Sequence, residues 1–189
     1  MAASKRDQLI DMAMELFFKN GCHTVGIDRL LAEASVAKMT LYSHFKSKEA
    51  LILAAAERLH EQVLEQFLAI LEDQNLSPID RLHAVFDRLE DFTTAQGFPG
   101  CPFVNLSVEF PDPSHPIHQV SIRHKHKVEE HLEESLRGLG VREPESVARQ
   151  LNLIYEGAKV MIQITGDSSY VQSSRQASEL LLEKALAEA

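Results

Sequence analysis

Between Val36 and Leu51 the chain reads VAKMTLYSHFKSKEAL, with Lys38, His44, Lys46 and Lys48 set among Tyr42, Phe45 and the hydroxyls of Thr40, Ser43 and Ser47. Hydroxyl, amide-like and aromatic donors suit the edges of base pairs, and cations placed around them suit phosphates. On a helical period Leu41 and Phe45 fall on one side and Met39 and Ser43 on the other, with Thr40 and Tyr42 on the flanks. Met39 would then touch methyl groups where Thr40, Tyr42 and Ser43 offer hydrogen bonds. An amphipathic hairpin with a solvated basic face would carry similar charges. What favours nucleic acid is the ordered combination of Lys38-Met39-Thr40-Leu41-Tyr42 with Phe45, Ser47, Lys48 and Glu49, behind two short helical patterns.

Other residues with chemical potential are less ordered. His115, His118, His124, His126 and His131 crowd one segment, but Pro116 breaks the spacing of the first two, and a first-row metal needs three or four convergent ligands. They are read as structural or pocket-lining, with no metal and no cofactor expected. An all-α enzyme using His124 or His131 with Glu129, Glu130 or Glu133 is the rival reading, but no nucleophile elbow, phosphate loop or HExxH accompanies them. A third reading is a protein-interaction module that uses the helical hairpin as scaffold only. Cys22 and Cys101 are too few and too far apart for a disulfide framework. Gly100 and Pro102 beside Cys101 bring no cation, so a packed, inert thiol is expected there.

Charge sharpens the contrast. The chain of 189 residues has a net charge of −9, yet residues 1–50 hold 7 Lys/Arg against 6 Asp/Glu, leaving 12 against 22 for the rest. An acidic surface repels polyanions, so any nucleic-acid contact is expected in the first quarter. No run approaches the roughly 18 apolar residues of a membrane span, and MAASKRDQ lacks the apolar core of a secretory signal. A cytoplasmic protein without a membrane partner is expected.

The elements that must position these residues are helices, since period 3.6 dominates throughout. Leu9, Ile10, Ala13, Leu16 and Phe17 make the face of a first helix that Asn20-Gly21 ends, and Ile27, Leu30, Leu31 and Ala34 that of a short second one capped at Gly26. The third carries Leu41 and Phe45. Ser47 caps a long fourth helix with the stripe Leu51, Ala55, Leu59, Val63, Phe67 and Leu71. Ser77-Pro78 opens a fifth with Ile79, Leu82, Phe86, Leu89 and Thr93 inward. Five prolines in GFPGCPFVNLSVEFPDPSHP confine a sixth to about 103–110. The seventh starts near Ser114-Pro116 and carries Ile117, Val120, His124, Val128, His131 and Leu132 to Gly138-Leu139-Gly140. Pro144 opens an eighth with Val147, Leu151, Ile154, Ala158 and Met161 or Ile162 inward, and Asp167 or Ser168 caps a ninth that ends in Leu180-Leu181-Leu182.

Two short helices joined by a tight turn and braced by another form a helix-turn-helix. LFFKNGCHTVGIDRLLAEASVAKMTLYSHFKSKEALI resembles the N-terminal domain of the TetR/AcrR family of one-component bacterial regulators, over roughly residues 5 to 52. The resemblance implies an all-α protein of about nine helices: a three-helix helix-turn-helix domain at 1–50 and a larger ligand-binding and dimerisation domain at 51–189. It implies a homodimer on double-stranded palindromic operator DNA, most simply a repressor released by an unidentified small-molecule effector. Thr40 and Tyr42 are then expected on bases or phosphates, His44 and Lys48 on phosphates, and Gly26 where backbone amides meet a phosphate, with Lys38, Met39 and Ser43 completing the DNA face. Two positions depart from the pattern: Ser35 stands where a turn glycine is usual, and Met39 where glycine is common. A positive φ at Ser35 would cost on the order of 1 kcal/mol.

The broken segment Gly97 to Pro116 and the seventh helix are where a cavity is expected, because irregular backbone leaves gaps that packed helices fill. Its candidate lining is Phe86, Cys101, Phe103, Asn105, His124, His131 and Tyr155. Gly157-Ala158 in mid-helix costs stability unless another helix approaches closely. A four-helix interface of the eighth and ninth helices from two chains is therefore expected, through Leu151, Ile154, Gly157, Ala158 and Leu181; packing within the chain is the alternative.

Overall fold

A computed structural model describes residues 4–94 and 98–188. Gly97, the first residue of the expected cavity segment, lies outside the described residues. Among these residues there are nine helices and no strand: α1 (Lys5–Asn20), α2 (Ile27–Ala34), α3 (Lys38–His44), α4 (Lys48–Leu71), α5 (Pro78–Thr94), α6 (Pro102–Glu109), α7 (Pro116–Gly138), α8 (Pro144–Thr165) and α9 (Ser169–Ala187). The all-α class and the order of elements agree with the periodicity. No helix of the described residues is long and apolar enough to cross a membrane.

Local chemistry explains several helix starts. Ser4 Oγ accepts the Asp7 amide at 3.1 Å and donates to the Asp7 carboxylate at 2.6 Å, so α1 begins with one of its free backbone donors engaged and the capping hydroxyl held in place. Ser77 and Asp80 repeat that arrangement before Pro78 at the start of α5. Ser47 Oγ accepts the Ala50 amide at 3.1 Å and opens α4. At α9 the hydrogen bond comes from Asp167, whose Oδ1 accepts the Ser169 amide at 2.8 Å, while the Ser168 side chain makes none. α9 runs to Ala187, past the leucine cluster, because Leu182 and Ala185 still find the core.

The chain forms two compact units. One runs to Val63 and takes in Pro102–His124; the other takes in Leu64–Cys101 and continues from Lys125. In the first, Leu9, Ile10, Leu30, Leu41, Leu51 and Ile117 are almost wholly buried. Glu109, at the end of α6, accepts the backbone N–H groups of Cys22 at 2.9 Å and His23 at 2.8 Å, and so holds the loop that follows α1. Burial first, then the Glu109 carboxylate, push the Cys22 thiol up to about 12. Arg58 of α4 ties α1 through Asp7 and through Asp11 at 2.8 Å. On α4 Leu51, Ala55, Phe67 and Leu71 of the expected stripe are buried, whereas Leu59 and Val63 are half-buried and Ala56 and His60 are buried beside them.

In the second unit α8 packs on α9, and α5 packs on both. Leu136, Val147, Ala148, Leu151 and Leu182 make one apolar cluster, and Phe86, Leu89, Ala158, Ile162 and Val171 another. Of the pair Met161 and Ile162, Ile162 is the buried one. Gly100 has a φ of +92°, and a Cβ there would fall 2.1 Å from the Gln163 side chain, which accounts for glycine before Cys101.

Ser35 closes α2 in the left-handed region, at φ 50° and ψ 44°, with its amide bonded to Ala32 O and the Val36 amide to Leu31 O. Glycine would relieve the crowding of its Cβ, at the expense of a freer unfolded chain. Ser35→Gly should therefore raise the free energy of unfolding by about 0.5–1 kcal/mol. Urea denaturation followed by circular dichroism checks this; a lower midpoint would mean that the hydroxyl matters more than the backbone.

Candidate nucleic-acid interface and cavity

α3 has seven residues and no side-chain cap, so its roll is set by what it buries. Leu41 is 0% and Phe45 4% exposed, whereas Met39 is 87% and Tyr42 48% exposed. Lys38, Ser43 and His44 are also exposed, and Thr40 is intermediate. The face expected from the sequence thus points away from the first unit's core. Ser43 Oγ donates to Thr40 O at 2.7 Å, which leaves its lone pairs outward. Lys38 Nζ lies 3.2 Å from Asp28 Oδ1 in an exposed pair, so its charge is shared. Lys48, at the first position of α4, rests its ammonium over the Phe17 ring at 5.6 Å, and Arg6 stands 5.5 Å over Phe45. Arg6, the second residue of α1, adds a cation beside Phe45 that nothing local in the sequence singles out. At Gly26, which precedes α2, an added Cβ would meet nothing within 4 Å, so backbone donors at this helix start are open to approach.

The histidines and acids of the rival reading do not converge. His124 Nδ1 lies 3.1 Å from His60 Nδ1, with the Phe103 ring stacked 3.8 Å away. His118 bonds Phe110 O at 2.7 Å, and His115 stacks on Phe110. His131 meets Glu134 at 3.2 Å, Glu130 meets Lys127 at 2.5 Å, and Glu133 pairs with Arg137. Glu129 accepts from Asn152 Nδ2 at 3.0 Å.

A cavity lies within the second unit, walled by Phe67 and Leu71 of α4, Phe86 of α5, Val128 and Leu132 of α7 and Tyr155 of α8, among others. About 60 Å³ of it is open to the centres of water-sized molecules. Of the candidate lining, Phe86 and Tyr155 stand in its wall, and their rings meet edge to face at 5.8 Å. Cys101, Phe103, Asn105, His124 and His131 do not. Phe103 and His124 are spent on the stacked cluster of the first unit, and Asn105 belongs to that unit too.

Cys101 is buried as expected, but the statement that it has no cation beside it is overturned: Lys125 Nζ, brought by α7, is 3.6 Å from its sulfur. The same ammonium is 2.6 Å from Glu156, whose other oxygen is 2.5 Å from Lys159. Burial pushes Glu156 up, but Lys159 and Lys125 outweigh it and leave the carboxyl below its ordinary value. Burial likewise works against the Lys159 ammonium, yet Cys101, Glu156 and Tyr155 raise it above its ordinary value.

The expected interface residues divide. Leu151 and Ala158 are 6% and 4% exposed, built into the chain's own core, so they are not free to meet another chain. Ile154 and Leu181 are intermediate and Gly157 is exposed. The outward stripe of α8 is instead Leu153, Gly157, Met161 and Ile164, with Leu180 of α9 also exposed.

Comparison with known proteins places the chain. The family model described as bacterial regulatory proteins, tetR family, matches residues 9–55, and that described as tetracyclin repressor-like, C-terminal domain, matches residues 78–178. The HTH-type transcriptional regulator YjdC of Escherichia coli K12 is 24% identical over 178 residues, 94% of this chain and 93% of its own. The HTH-type transcriptional repressor DhaR of Mycobacterium sp. strain GP1 is 28% identical over 104 residues, 55% of this chain and 51% of its own. The crystal structure of SCO4454, a TetR-family transcriptional regulator from Streptomyces coelicolor, superposes with a TM-score of 0.86 at 30% identity, covering 96% of both chains.

The Glu156 bridge yields a sign-definite expectation. Its folded carboxyl titrates below the unfolded one, so its stabilisation is present above about pH 4.5 and is lost as pH falls through the folded value. Glu156→Gln strands Lys159 and Lys125, and should cost about 2–4 kcal/mol at pH 7, shrinking toward pH 3. Urea titrations of both proteins across that range measure it; a difference independent of pH would assign the loss to packing.

Proposed function

The chain belongs to the TetR family of bacterial transcription regulators, and we propose that it acts as a homodimeric repressor that sits on a palindromic operator and leaves it when a small molecule enters the second unit's cavity. The observation that carries the DNA face is the roll of α3: burial of Leu41 and Phe45 turns Met39, Thr40, Tyr42 and Ser43 outward as one surface. Met39, Thr40, Tyr42 and Ser43 read base edges in the major groove. His44, Lys48 and Lys38 neutralise phosphates, Lys38 by giving up or sharing Asp28, and the amides after Gly26 hold another phosphate. Residues 1–50 read DNA and residues 51–189 bind the effector and the second copy.

Two reading helices must meet successive major grooves, roughly 34–36 Å apart, which calls for a dimer. Leu153, Gly157, Met161 and Ile164 supply an apolar stripe on α8, and at Gly157 a Cβ would meet nothing within 4 Å in the single chain. A glycine in mid-helix without a close neighbour of its own suits the approach of a helix from a partner, in a four-helix bundle of α8 and α9 from both copies. The repressor sign rests on occlusion of the promoter by such a dimer, and DhaR bears that word in its name. α4 starts with Lys48 and ends on the cavity wall at Leu71, so an effector that favours a different α4 position alters the spacing of the reading helices. A coupling of about 1–3 kcal/mol releases DNA several-fold to a hundredfold.

Operator recovered by selection from random duplexes provides the assay. Lys48→Ala should weaken binding and flatten the slope of log K against log salt by about one unit per copy, or about two for the dimer. An unchanged slope would remove Lys48 from the phosphates. Met39→Ala and Thr40→Ala should change which sequence is selected more than how tightly DNA is held. Ile164→Glu should sediment as a monomer at micromolar concentration and lose at least a hundredfold in operator affinity, since each half-site then binds alone; a dimer that survives the charge lies on another face.

A further inference from the structure

Two residues that line the second unit's cavity each hold a buried polar atom with no partner among the described residues. Asn152 Oδ1 and Ser178 Oγ are buried and reach no hydrogen-bonding group among the described residues. The amide cannot resolve this by turning over. Its Nδ2 donates to Glu129 Oε1 at 3.0 Å, and a flip would set the amide oxygen against that carboxylate. Oδ1 is thereby fixed as an acceptor. Ser178 is 0% exposed and its hydroxyl can donate or accept. The wall around them is otherwise dominated by leucines and aromatic rings, such as Phe67, Leu82, Phe86 and Leu132.

A buried acceptor left unbonded is costly, and native interiors avoid it unless something else fills the need. We infer that the cavity takes an uncharged, mainly apolar molecule whose entry parts the wall over these buried atoms, its hydroxyl or N–H donating to Asn152 Oδ1, with Ser178 as its second polar contact. This rests on reading the cavity as the effector site. A carboxylate is disfavoured at that point, because it would face an acceptor fixed by Glu129 and would lose its hydration among apolar side chains. Arg81, which also lines the cavity and donates through Nε to Asp73 O at 2.9 Å, marks the place where an anionic head would bind if this assignment were wrong.

Three probes of similar size separate the possibilities: 4-propylphenol, its methyl ether 4-propylanisole, and 4-propylbenzoate. Titration calorimetry and thermal shift on the full chain should rank the phenol roughly tenfold above the ether, the worth of one buried hydrogen bond, and above the benzoate. Ser178→Ala should melt no lower than the parent, since it removes an unpaired hydroxyl, and should cut the preference for phenol over ether. Equal binding of phenol and ether, unaffected by Ser178→Ala, overturns the donor assignment while leaving the cavity as a ligand site. Tightest binding of the benzoate, abolished by Arg81→Gln, overturns it in favour of an anion. Binding of none of the three defeats the effector-site reading and this inference with it. A water bonded to Asn152 Oδ1 in crystals of both the free and the phenol-bound protein also overturns it.

Discussion

Everything proposed for DNA depends on how two side chains hold a seven-residue helix. α3 is too short to be stable alone and has no side-chain cap, so its presence and its roll derive from Leu41 and Phe45 sinking into the first unit. The turn before it leaves little slack. Ser35 in the left-handed region ends α2 within one residue, and Val36 is buried immediately afterwards. A residue that tolerates this backbone poorly occupies the turn, and the core contacts on either side keep it there. The outer face of α3 is thus defined by subtraction: whatever the core does not take is presented.

The same unit extends well beyond the first three helices. Glu109, some ninety positions along, supplies the carboxylate that receives the Cys22 and His23 amides, and His23 Nε2 meets Glu109 O at 3.0 Å. α6 is therefore a structural part of the body that carries α3. α4 and α7 each pass from this unit into the one holding the cavity. On the proposed reading, two helices shared in this way would give an effector two covalent routes to the reading head, along α4 and α7.

Much of this was legible in the sequence because it is written locally. Helical period, proline and serine starts and glycine stops place the nine elements, and the i, i+4 pair Leu41 and Phe45 gives the roll of α3. The failures share one cause, namely partners distant in sequence. Nothing near Cys101 predicts Lys125, which arrives from α7. The proline-broken segment that holds Phe103 and Asn105 suggested a cavity, yet Phe103 stacks on His124, which also meets His60 of α4. Leu151 and Ala158 lie on the face of α8 that α9 and α5 already cover, so the apolar count of that helix was right and the assignment of its sides was not. A helix apolar on two faces gives no local sign of which one is spoken for.

The charge balance bears on how such a protein discriminates. With a net charge of −9, a shared Lys38 and a Lys48 leaning on Phe17, the reading head has few cations to spend on phosphates. Sequence-independent affinity grows with each phosphate neutralised, so this head has little of it. On the proposed reading, binding leans on base-edge contacts from the α3 face and on joining two heads in one dimer, both of which would be lost together when the spacing of the heads changes. A regulator built this way needs only a small displacement to leave DNA, because no large electrostatic reserve holds it there once the two half-sites cease to be engaged at once. On the proposed reading, weak non-specific binding and a ligand response would share one source, the scarcity of positive charge.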